Sequence, residues 1–124
     1  MGVQHLRIPV DISASGAGSK TLGQYLSGKL LAIGIDYHAS IDAGTDVVVS
    51  VSSPSGPAQT LLTVTNSKTD GWYYPRAGAV LPANTAITNS FVEIPFAGLL
   101  SVSVAEGGSS ALAPGVTVDI YYEV

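Results

Sequence analysis

The sequence predicts an all-β protein: an antiparallel β-sandwich of jelly-roll type, with seven to eight short strands and at most one short helical turn. Three observations carry that expectation. Apolar residues recur at every second position along most of the chain, and turn-forming Gly, Pro, Asp and Ser separate those runs at short intervals. No stretch keeps a helical period long enough for a βαβ crossover. A chain of 124 residues fits one domain and can bury a modest core without cross-links.

The elements follow in order. Leu6, Ile8, Val10 and Ile12 alternate with Arg7, Pro9 and Asp11, the pattern of a half-buried strand. Pro9 has no N–H for a ladder, so this strand should lie at a sheet edge or carry a break there. Residues 13–20 are rich in Ser, Gly and Ala and read as a loop. Leu22, Tyr25, Leu26 and Leu30 have helical spacing, but Gly23 and Gly28 limit any helix to a turn or two. A long strand is predicted from Lys29 to Ser40. Leu31, Ile33, Ile35, Tyr37 and Ala39 form one of its faces, and Leu30, Ala32, Gly34, Asp36 and His38 the other.

Asp42-Ala43-Gly44 makes a turn, and Val47, Val49 and Val51 line the next strand. Pro54-Ser55-Gly56-Pro57 is turn chemistry that closes a hairpin onto residues 59–66, with Leu62 and Val64 on one face. Residues 67–89 read as one long irregular stretch, and loops of that length in compact domains carry function or extend outward. Two strands, Phe91–Phe96 and Leu99–Ala105, are predicted to join at Ala97-Gly98. Val116, Val118, Ile120 and Tyr122 mark the last strand.

Composition narrows the function. Charged residues make up 11% of the chain, against about 25% in an average domain. The five basic residues are scattered, so no stripe exists to neutralise phosphates or to hold an anionic membrane. With no cysteine there is no disulfide and no thiolate chemistry. Mean hydropathy is +0.37, yet no apolar run approaches the ~18 residues of a membrane span. The opening Met1-Gly2-Val3-Gln4-His5-Leu6-Arg7 has neither the basic start nor the apolar run of a signal peptide, and Leu6 stands where a myristoylation motif has Ser or Thr. An apolar, lightly charged chain has two readings: outer area covered by neighbouring proteins, or ordinary outer faces of Ser and Thr.

No catalytic, cofactor or metal site is predicted. Gly16-Ala17-Gly18-Ser19-Lys20-Thr21 superficially resembles a phosphate loop, but Ala14 and Ser19 stand where its two glycines belong. Gly107-Gly108-Ser109-Ser110-Ala111 lacks the helix that a nucleophile elbow needs, and His5 and His38 read as strand residues on a polar face. Asp36, Asp42, Asp46 and Asp70 lack calcium-loop spacing and read as turn caps or solvated carboxylates. The informative cluster is Trp72-Tyr73-Tyr74-Pro75-Arg76. Aromatic rings beside Arg are what protein-interface hot spots and sugar-stacking platforms use. Neighbouring strand residues point opposite ways, so at least one ring should plug the sandwich, with another and Arg76 at a contact surface.

The order of segments carries a resemblance. Ile33-Gly34-Ile35-Asp36-Tyr37 is followed by Asp46-Val47-Val48-Val49, residues 61–66, Asp70 to Arg76, Phe91-Val92-Glu93-Ile94-Pro95 and Val118 to Glu123. Over residues 28–124 this resembles the head decoration (cement) proteins of tailed bacteriophages. The resemblance implies a non-enzymatic β-sandwich at residues 28–124, assembled as a homodimer or homotrimer on the major capsid protein at the virion exterior. Residues 1–27 would then be an N-terminal strand or arm and loop lying across a neighbour. Leu6 and Ile8 join Trp72, Tyr73, Tyr74 and Arg76 as interface candidates. Three rival readings remain: a carbohydrate-binding jelly roll with the three consecutive rings as platform, a phage tail or head–tail connector subunit, and a small β-barrel enzyme with polar groups converging in a pocket.

Overall fold

The alternating runs become strands, and every pairing among them is antiparallel. The computed structural model describes residues 2–53, 56–80 and 86–124. It contains β1 (Val3–Ile12), β2 (Gly18–Thr21), β3 (Leu26–Tyr37), β4 (Asp46–Ser53), β5 (Gly56–Val64), β6 (Gly71–Tyr73), β7 (Arg76–Val80), β8 (Ala86–Glu93), β9 (Pro95–Ala105) and β10 (Leu112–Glu123). No helix occurs among the described residues, so none there is long and apolar enough to cross a membrane.

Eight of these strands form two four-stranded layers. One layer runs β1-β10-β3-β6 and the other β2-β9-β4-β5. Consecutive strands β1 and β2, β3 and β4, β5 and β6, and β9 and β10 each step from one layer to the other, which is the jelly-roll wrap. The remaining pair, β7 and β8, forms a separate two-stranded sheet inserted before β9. Pro9 lies on β1, an edge strand, where its missing donor breaks no ladder.

The core explains the alternation. Rows Leu6–Ile120–Ile33, Ile8–Val118–Ile35 and Val10–Val116–Tyr37 line the inner face of the first layer. Rows Val104–Val47–Val64, Val102–Val49–Leu62 and Leu100–Val51–Gln59 line the second. Most of these side chains are fully buried, and each contributes on the order of 1.5–3 kcal/mol of burial. β-Branched residues suit such rows because they pack well on a pleated surface.

Two bulges interrupt the alternation. Tyr121 pairs with Ala32 and Tyr122 with Leu30, so Leu31 is an extra residue. The bulge turns Leu30 into the core and leaves Leu31 half-buried on the other side, contrary to unbroken alternation. In β5 the extra residue is Leu61: Val49 pairs with Leu62 and Ser50 with Thr60. Leu61 is buried, while Leu62 and Val64 are half-buried against the core.

Other expectations need correction. Residues 22–30 form no helical turn, because Leu26 to Lys29 pair instead with Gly98 to Pro95. The expected loop at 13–20 contains β2, which lies along Ser101 to Val104. The stretch at 67–89 contains β6, β7 and the start of β8, apart from residues 81–85, which lie outside the described residues. The expected break at Ala97-Gly98 is no break in the chain's extension. β9 runs through it and changes partner, from β3 at 95–98 to β4 at 99–105. Pro54 and Ser55 of the expected turn also lie outside the described residues, and Ser53 pairs with Gly56 across them.

Candidate functional site

The two layers differ on their outer sides. The second layer shows mainly hydroxyls: Ser19, Thr21, Ser101, Ser103, Ser50 and Thr63 fall there, and Thr21 Oγ1 meets Ser101 Oγ at 3.0 Å. The first layer carries rings and charges, and its register brings them together. His5, Tyr121 and Ala32 share one row, and Arg7, Asp119, Gly34 and Trp72 share the next.

Gly34 seats the tryptophan. A Cβ at Gly34 would stand 2.8–3.0 Å from three consecutive atoms of the six-membered ring of Trp72. Near-equal distances to three adjacent ring atoms mean that the indole lies face down on the strand. Any larger residue would lift it. One ring face is thus covered by backbone, and Trp72 remains 51% exposed. Its centroid is 5.6 Å from that of Tyr121 at a 43° tilt, and Tyr121 in turn stacks on His5 at 4.5 Å and 14°. The result is a three-ring strip across β1, β10 and β6.

Beside the strip, Arg7 Nε donates to Asp119 Oδ1 at 2.9 Å, and His5 Nε2 lies 2.9 Å from the same oxygen. Partial burial works to raise the Asp119 carboxyl, but the Arg7 and His5 hydrogen bonds outweigh it and hold the group below the ordinary aspartate range. Asp119 is therefore a charged acceptor that fastens the edge strand to its neighbour.

One row further along, the register that pairs Gly34 with Trp72 and Ile35 with Gly71 brings Asp36 beside Asp70. Asp70 Oδ1 accepts the Tyr37 N–H at 2.8 Å, so it acts as the expected backbone cap. Asp42 and Asp46 cap Gly44 and Asn66 in the same way. A hydrogen bond with Asp70, and then the Asp70 charge, push the Asp36 carboxyl up; Asp119 adds to this and Arg7 opposes it. Gly34, Asp36, Asp70, Trp72 and Asp119 border a shallow open groove of about 270 Å³.

This pair gives a stability prediction. An aspartate raised in the folded state destabilises the fold at pH above its folded value, and that penalty fades as pH falls to the unfolded value of about 4. Asp36→Asn should therefore stabilise the protein slightly at neutral pH, since solvent screens much of the repulsion between exposed carboxylates. The gain should vanish near pH 4. Urea midpoints measured across that range check both, and a loss of stability at neutral pH would contradict the pairing.

The sequence-derived interface candidates divide. Trp72 and Tyr74 are exposed, at 51% and 63%, while Tyr73 between them is half-buried against the core. Arg76 is exposed, but its Nη1 donates to the carbonyls of Leu31 and Pro75 at 3.1 and 2.8 Å, so it also ties β7 to the bulge in β3. Ile8 is 1% exposed and faces the core, so it offers nothing to a neighbour; Leu6 is half-buried beside it. Val3 to Ile12 pairs along its length with β10 of its own chain. His5, Tyr121, Asp119 and the Asp36–Asp70 pair were not expected together, because the register that unites them spans 34 to 114 residues of sequence.

The fold and strip define a jelly-roll β-protein with one plain hydroxyl face and one aromatic, acidic face. No family model, no curated protein and no solved structure matches the chain.

Proposed function

We propose that this chain is a non-enzymatic structural subunit that docks on a tailed-bacteriophage head as a decoration (cement) protein, binding the major capsid protein and its own copies at the virion exterior. The observation that carries the reading is the His5–Tyr121–Trp72 strip on a two-layer scaffold, half-buried at Tyr121 and exposed at His5 and Trp72, with Tyr74 also exposed. Aromatic rings held in place at low entropic cost, with Arg nearby, are what protein-interface hot spots use. Jelly rolls recur in viral shells and in lectins, so the fold supports the reading only by analogy. On a fixed lattice, many weak contacts act together.

The sugar-platform reading loses its three consecutive rings, since Tyr73 turns inward and the Trp72 and Tyr121 rings are tilted by 43°. The open face of Trp72 beside carboxylates still keeps it as a rival. The test is light scattering after size exclusion, together with binding to heads of the encoding phage assembled without this chain. Dimers or trimers that saturate such heads are expected, and Trp72→Ala should weaken that binding at least about tenfold. A monomer that ignores heads and binds polysaccharide would overturn the proposal, and binding confined to tails or connectors would move it to another virion part.

A further inference from the structure

The groove at Trp72 carries a charge that its own chain does not balance. Asp36 and Asp70 stand side by side, and among the described residues neither forms an ion pair. The nearest cation, Arg7, gives its Nε–H to Asp119, and His5 contacts the same oxygen. Trp72, Asp36 and Asp70 share one side of the sheet. Positions two residues apart on a strand lie about 7 Å from each other, so one planar group can meet both the ring and the carboxylates.

Three ligand chemistries stack on an indole face. A nucleobase brings phosphate, which Asp36, Asp70 and Asp119 repel in a chain of net charge -4. A sugar ring offers hydroxyls but leaves two adjacent negative charges unbalanced. A guanidinium or ammonium satisfies both features: it is attracted to the ring face, and it donates to carboxylates. Arginine fits better than lysine, because its planar fork stacks and can donate to two oxygens at once. The groove volume of about 270 Å³ is below the range of small-molecule pockets, about 300–1,000 Å³, and suits a single side chain.

We propose that this groove receives an arginine or lysine side chain from a partner protein, the cationic head lying on the open face of Trp72 and donating to Asp36 and Asp70. The inference rests on the docking reading above and names the chemistry of its partner. It places a basic residue on the shell surface that the strip covers. A second copy of this chain is a poorer source: Arg7 and Arg76 are engaged and Lys68 Nζ donates to the Ala39 carbonyl, leaving Lys20 and Lys29.

Trp72 is the only tryptophan, so intrinsic fluorescence reports on this groove directly. The probe is a capped peptide of alternating glycine and arginine, titrated against the full chain. Its control carries citrulline, which keeps the planar shape and loses the charge. A saturable change is expected with the arginine peptide, weaker by roughly tenfold with citrulline, and weakening as salt rises. The Asp36→Asn, Asp70→Asn double variant should lose the response while keeping its circular dichroism, since asparagine can still accept the Tyr37 N–H. No response, an equal response to citrulline, or a response only to a neutral oligosaccharide such as maltohexaose would overturn the proposal. A response that tracks self-association of the chain would overturn it as well. Head binding separates the two readings. If heads bind wild type and double variant equally, the groove proposal fails and decoration stands; if the peptide binds and heads do not, decoration fails alone.

Discussion

Gly98→Ala should lower stability by about 3–5 kcal/mol, enough to unfold much of the population under ordinary conditions, where domains hold only about 5–15 kcal/mol. Gly98 sits where β9 leaves β3 for β4. Its φ of 146° lies in a region that L side chains avoid, and a Cβ there would run into the Ser52 carbonyl and come within 2.8 Å of Val51 Cγ1. Strain and collision add, because the atoms struck belong to a paired strand that cannot yield without breaking its own ladder. The urea midpoint measures the effect. Gly23→Ala is the matched control: a Cβ there meets nothing within 4 Å, so its midpoint should stay close to that of wild type. Equal midpoints for the two variants would mean that the layers are not joined at Gly98.

Ile120→Ala should cost about 3–4 kcal/mol, and Ile120→Val about 1 kcal/mol. Ile120 is fully buried between Leu6 and Ile33 in an inner row of the first layer. Truncation removes burial and leaves a cavity that two flanking strands, fixed in register, cannot fill. For a chain of this length the alanine variant should melt about 10–15 °C lower, measured by circular dichroism. Thr117→Ala, three positions away on the outer side of the same strand, should change little. A melting loss as large at Thr117 as at Ile120 would reverse the assigned faces of β10.

The pattern of gains and losses in reading this chain has a physical cause. β1, β4 and β10 were legible because one side of each is buried and the other is not, so period two survives in the residues. β2 was not, since Gly18-Ser19-Lys20-Thr21 buries no side chain; it joins the sheet through its backbone ladder and one hydroxyl pair, Thr21 with Ser101. The helical spacing of Leu22, Tyr25, Leu26 and Leu30 was real, but pairing with Gly98 to Pro95 overrode a weak propensity interrupted by two glycines. Leu31 defeated face assignment because a bulge shifts the phase without leaving a mark in composition.

The site follows the same logic. The split among Trp72, Tyr73 and Tyr74 was readable, because alternation acts between neighbours. The meeting of Asp36 with Asp70, and of His5 with Tyr121 and Asp119, depends on which strands lie side by side and in what register. No local pattern encodes that. Gly34 shows the limit well: by sequence it is a weak point in a strand, and in the fold its missing side chain is the bed on which the indole rests.

The unlike outer sides of the two layers bear on how the molecule must lie against anything it coats. A slab greasy and ionic on one side, and lined with serine and threonine on the other, has only one sensible way up. If it coats a shell as proposed, the ringed side goes down, and the alcohol groups are left to the water. A particle tiled by such slabs would present a wetted, nearly uncharged skin, giving the next particle little to adhere to.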